Sequence, residues 1–198
     1  MADQLITGTT LVEKESRSIG DIAIGGILEF DDTYTSIPEN FVLCDGATIT
    51  DPLSSYNGST VPDLNTNYWT CHGQNFNLGY DGSGFNSADY GNAFLLSTSS
   101  LIAPVNLPNG AIITECVTYG SETDETWTLM KRTISTASTE STMATAAINT
   151  TDTTITSATI DNSLYAYYIN TSEMVSTDIV YGAKITYTPR FKFIIRIK

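Results

Sequence analysis

At 198 residues the chain can hold one large domain or two small ones, each with a real core. A formal charge of -13, from nine Lys and Arg against 22 Asp and Glu, excludes the basic footprint that nucleic acid or an anionic membrane surface requires. Thr and Ser, 31 and 19 residues, make up a quarter of the chain, and runs with apolar residues at i, i+3, i+4 and i+7 are missing, so the composition predicts an all-β fold.

Residues 1-18 are polar without a sustained period and read as an N-terminal arm. They lack the basic start and apolar stretch of a secretory signal, so the expectation is synthesis in the cytosol. The longest apolar run, Ile22 to Leu28, falls far short of the ~20 residues that span a bilayer. Residues 19-66 mix Gly, Pro, apolar clusters and acids and read as a small β domain. Residues 67-92 are rich in Gly, Asn and aromatics, with almost no aliphatic side chains, and read as a long ordered loop or linker outside any core. Residues 93-188 are Thr/Ser-rich, and turn signals at Pro108-Asn109-Gly110, Asp161-Asn162-Ser163 and Thr188-Pro189 bound alternating runs such as Tyr165, Tyr167, Ile169 and Ile179, Tyr181, Ala183, Ile185, Tyr187. This reads as an antiparallel β-sandwich, jelly-roll-like, inserted in or appended to the small domain. Residues 135-159, nearly low-complexity, read as thin exposed strands and turns. The last run has period two: Phe191, Phe193, Ile195 and Ile197 alternate with Lys192, Ile194, Arg196 and Lys198. Its apolar face needs a partner sheet, and the Ile22 to Leu28 region is the expected one, so that 190-198 completes the 19-66 domain.

Catalytic chemistry finds no foothold in these residues. His72 is the single histidine, and its neighbour Cys71 points to the opposite face of any strand they share, so neither a Ser-His-Asp nor a Cys-His arrangement is expected. Cys44, Cys71 and Cys116 have no metal-ligand spacing and are odd in number, so no metal site and no disulfide framework is expected. Asp81-Gly82-Ser83-Gly84 lacks the ligand ladder of a calcium loop and reads as a turn. Glu122, Asp124 and Glu125 read as a surface acid cluster. The chain is expected not to be an enzyme and to need no cofactor. Binding is the better prospect. Tyr68, Trp69, Tyr80, Phe85 and Tyr90 stand among small polar residues, a composition suited to adaptable contacts and to stacking on sugar rings, and they are the candidate binding residues. Contact with a neighbouring subunit is the competing use.

Motifs between Ile19 and Leu64 carry a family resemblance. Ile19-Gly20-Asp21-Ile22 is followed by Ile37-Pro38-Glu39-Asn40-Phe41-Val42-Leu43-Cys44-Asp45-Gly46 and then by Val61-Pro62-Asp63-Leu64. This series resembles the phage tail collar domain of tail fibres and related virion appendages, over roughly a quarter of the chain. The collar positions, structural in role, are Pro38, Phe41, Cys44, Asp45, Gly46, Pro62, Asp63 and Leu64. Asn40 stands where the family usually has Gly, and Asn is the next best residue for a left-handed turn. Asn65-Thr66-Asn67 replaces the Arg-Gly-aromatic continuation of the family. The resemblance implies a structural virion protein, a tail-fibre or collar-like appendage component found in the mature particle. Its implied partners are other virion proteins, copies of itself in a homotrimer, and a host-surface glycan, with no membrane insertion. The alternative is a carbohydrate-binding or adhesion module of a non-viral extracellular filament.

Overall fold

The computed structural model describes residues 4–7, 10–13, 23–31, 37–79, 86–89, 91–135 and 139–198. Among these the protein is all-β, and its single helical element is a 3-10 turn at Gly73–Asn75. The chain divides into two compact units, 1–67 with 188–198 and, inserted between them in sequence, 68–187.

The first unit contains β1 (Gln4–Thr7) paired antiparallel with β2 (Thr10–Glu13). A three-stranded sheet follows, made of β3 (Ile27–Asp31), β4 (Phe41–Leu43) and the terminal strand, which becomes β15 (Phe191–Arg196). The terminal strand is the middle one: Ile195 faces Ile27 on one side and Val42 on the other, both antiparallel. Ile194, on the otherwise basic face of this strand, is fully buried. Ile49, Val61 and Ile197 form a small core with Val42 and Ile195 packed against it.

The second unit has two five-stranded sheets. One runs β10 (Ile112–Gly120), β14 (Ile179–Thr188), β8 (Asn92–Leu95), β7 (Asn86–Asp89), with β5 (Asn67–His72) also on β14. The other runs β12 (Glu140–Ala147), β11 (Thr126–Thr133), β13 (Tyr165–Thr171), β9 (Leu101–Val105), β6 (Asn77–Leu78). One core draws on both sheets in a sandwich-like arrangement: Ala183 and Ile185 of β14 join Trp127, Leu129 and Ile169 of β11 and β13, all buried. The indole Nε1–H of Trp127 is satisfied by the carbonyl of Thr150 at 3.1 Å, so the largest core side chain leaves no buried donor unpaired.

Two local features modify the simple alternation. In β12 a bulge opposite Leu129/Met130 lets consecutive residues Met143 and Ala144 both enter the core, so the low-complexity stretch is more than an exposed strand. In β14 the buried apolar side chains are Val180, then Ala183 and Ile185, while Tyr181 is exposed. The phase slips at Gly182, with φ of +157°, where a Cβ would lie 2.4 Å from the Cys71 carbonyl oxygen of β5. Residues 67–92 are not a linker: they supply β5 to β7, and Phe76 is fully buried because the 3-10 turn swings it into the core. The sandwich-like unit therefore begins near residue 68 instead of 93.

Candidate functional site

The described collar-type residues, from Ile37 to Leu64, converge within the first unit, whereas Ile19 to Ile22 lie outside the described residues. Asn40 adopts φ of +68° and Gly46 of +80°, the left-handed conformations that turn the chain into and out of the Phe41–Cys44 segment. Phe41 is buried and Cys44 fully so; burial of the Cys44 thiol, with the Asp45 charge beside it, raises its pKa. Asp45 and Asp63 form a β-bridge, and the N–H of Leu64 donates to the Cys44 carbonyl at 2.8 Å. The exposed carboxylates fold turns: Asp45 Oδ1 accepts from the Ala47 N–H at 3.1 Å, and Asp63 Oδ1 from those of Asn65 and Thr66 at 3.2 and 3.0 Å. Pro38 is half-buried and precedes the turn, whereas Pro62 and Leu64 are exposed. Both carboxylates of the collar positions, Asp45 and Asp63, are used to hold backbone, the arrangement of a structural clasp.

Asn65 is the residue that sequence reasoning passed over. Its buried amide donates to the carbonyls of Cys44 (2.9 Å) and Phe193 (3.2 Å), and its Oδ1 accepts from the Phe193 N–H at 2.7 Å. It thus takes the place of a neighbouring strand where β4 has ended but β15 continues. The one available signal was an amide directly after the Pro62-Asp63-Leu64 element, a residue type that can donate and accept at once. Lys198 pairs with Asp51, which holds the Asp51 carboxyl below its usual value, while Ser54 Oγ donates to the Ile197 carbonyl at 2.8 Å.

The aromatic candidates do not assemble into one platform among the described residues. Tyr68 is exposed, with the Lys184 ammonium 5.8 Å from its ring centre. Trp69, next along β5, points the other way and packs on the core. Tyr80, Phe85 and Tyr90 lie outside the described residues, as does the Asp81 to Gly84 turn. His72 is exposed. The three thiols are free; burial pushes Cys71 up to about 11 and Cys116 higher still. The acid cluster is not wholly at the surface. Glu125 is buried, its Oε2 has no hydrogen-bond partner, and burial, a hydrogen bond with Asp124 and the charge of Asp178 push its pKa up to about 7.

Two concavities are open. One, of about 450 Å³, lies in the first unit between β4, Thr48–Asp51 and Ile197. The larger, of about 920 Å³, crosses the outer face of the β12-β11-β13-β9-β6 sheet, lined by Asn77, Ile102, Pro104, Arg132, Glu140, Tyr168 and Asn170 among others. Arg132 and Glu140, facing each other across β11 and β12, form an ion pair at 3.5 Å. Burial, and after it the neighbouring Glu140 carboxylate, push the Tyr168 phenol up to about 12.

The sequence matches no family model and no curated protein. Among solved structures, the "Glycosylation Associate Protein (Gap123) complex" from Streptococcus agalactiae is similar at a TM-score of 0.37 and 10% identity, over 64% of this chain and 26% of that one, a likeness too slight to carry any argument.

Proposed function

We propose that the chain is a structural virion protein, a tail-fibre or collar-like appendage component with a receptor-binding role, and not an enzyme. One observation carries the reading: the described residues of the collar resemblance, Pro38 to Leu64, meet in a single small unit, where Asp45 bridges Asp63 and Asn65 ties Cys44 to Phe193 of the last strand. A motif used to hold backbone suits a scaffold. The thin core of this unit, Ile49, Val61 and Ile197, gains from burial against copies of itself, in keeping with a homotrimer. Because each chain carries a charge of -13, the contacts between copies are expected to be apolar and Thr/Ser-lined, with the acids outside.

Mass spectrometry of density-purified particles from the producing culture is expected to find this chain in fixed proportion to the other virion proteins, and light scattering on the purified chain to read three chain masses. Absence from every particle fraction overturns the virion reading, and recovery with a cellular surface filament instead favours an adhesion module. A monomer in solution removes the trimer.

A further inference from the structure

We propose that the groove on the outer face of the β12-β11-β13-β9-β6 sheet binds a neutral oligosaccharide, with Tyr168 and Asn170 at its centre. The alternation of β13 sends Tyr167, Ile169 and Thr171 into the core and leaves Ala166, Tyr168 and Asn170 on the opposite face. In register with them, Ile102 stands beside Asn170 and Pro104 beside Tyr168 on β9, and Asn77 of β6 pairs with Ile102. Apolar surface and amides therefore alternate across neighbouring strands. A pyranose has the matching character, with C–H faces that stack on an aromatic or aliphatic surface and a rim of hydroxyls that both donate and accept. The Asn170 side chain is half-buried and makes no hydrogen bond among the described residues, so its donor and acceptor are both open to a ligand. At about 920 Å³ the groove lies at the upper end of the range for small-molecule sites, enough for more than one sugar ring.

Charge narrows the ligand class. Arg132 and Glu140, the charged residues of the lining, are paired to each other, so the groove is neutral overall and offers no free cation to a phosphate, sulfate or uronate. The net charge of -13 on the chain further disfavours an anionic glycan. An extended peptide is a poorer occupant. The groove lies on the face of the sheet, whereas strand addition needs backbone groups at a sheet edge.

For its biological setting the inference rests on the receptor-binding part of the reading above. Its test uses the purified full-length chain, so either can fail alone. Calorimetric titration with neutral hexasaccharides of glucose, galactose, mannose and N-acetylglucosamine, and with a sialylated hexasaccharide, is expected to show binding of at least one neutral member. Asn170→Ala and Tyr168→Ala should each weaken it by about tenfold or more, the scale of a central contact. Tyr168→Phe, which keeps the ring and the packing, should retain most of it, and Tyr181→Ala, exposed on β14 of the other sheet, should leave it unchanged. A circular-dichroism melt of each variant separates lost binding from lost fold. Failure of every neutral sugar at low-millimolar concentration, preference for the sialylated one, unchanged binding in folded Asn170→Ala, or loss in Tyr181→Ala overturns the assignment.

Discussion

Glu125 shows how one carboxyl can set the pH response of the protein. It sits just before β11, its backbone carbonyl accepts the Ile148 N–H at 2.9 Å, and its side chain is buried with one oxygen unpartnered. Between its ordinary value of 4.5 and about 7 the folded chain keeps a proton that the unfolded chain has released. Stability must therefore fall as pH rises through that window and level off above it. Asp152 and Asp161, held low by the hydroxyls and N–H groups of Thr154 and Ser163, act in the opposite sense. Their contribution is present above their ordinary value of 3.8 and is lost only as pH falls through the lower folded value. Glu125→Gln is accordingly expected to melt like the natural chain at pH 4 and higher than it at pH 8, by roughly 2–4 °C for each kcal/mol recovered in a chain of this size. A difference that does not vary with pH would show that the carboxyl titrates alike in the folded and unfolded chains. The sequence placed this residue in an exposed acid cluster; its burial follows from the Ile148 contact, which joins residues 23 apart and leaves no local trace.

At the level of elements, the sequence was most legible where a strand has one simple face. Tyr165, Tyr167 and Ile169 alternate in the text and line the inward side of β13. Legibility ends where the period slips. The run from Ile179 to Tyr187 reads as one face, yet Val180 is buried and Tyr181 exposed, because Gly182 lets the backbone of β5 approach. Asn65 is the sharper case: beside the collar-type motif it read as a departure, and its partner Phe193 is 128 residues away. Asn65→Ala strips the Phe193 N–H of its acceptor in a buried setting, and a loss of about 1–3 kcal/mol is expected in urea unfolding of the first unit. Asn65→Asp keeps the acceptor but turns a buried carboxylate oxygen on the Cys44 and Phe193 carbonyls, so at neutral pH it should lose at least as much as Asn65→Ala. A variant indistinguishable from the natural chain would mean that water replaces the amide there.

The whole molecule is organised by the insertion of one unit into the other. Residues 68–187 contain both five-stranded sheets and their shared core, whereas the first unit is closed only by a strand that arrives after the insertion. A 68–187 fragment is expected to fold alone, with a cooperative thermal transition and dispersed amide resonances. A chain ending at residue 187 should lose the first unit's structure, since its central strand is gone. A molten 68–187 fragment would show that the larger core depends on the smaller unit. The composition announced the all-β class and the terminal alternation announced β15, but where the second unit begins was hidden, since Phe76 enters the core from a segment otherwise built of Gly and Asn.

The central place of β15 also fixes how the protein responds to pulling. Ile27 pairs with Ile195 and Asp31 with Phe191, so the flank entering β3 and the flank leaving β15 depart from the same end of the ladder. Tension applied through those two flanks runs along the hydrogen bonds, perpendicular to the strands, and loads them one after another, beginning with the bonds of Gly25 and Gly26 to Arg196. Such a junction peels open at low force, where a sheared ladder would share the load over all its pairs. Until it opens, the inserted residues 68–187 lie outside the path of the force. Under load at its two flanks the first unit is therefore expected to open before residues 68–187 carry any force.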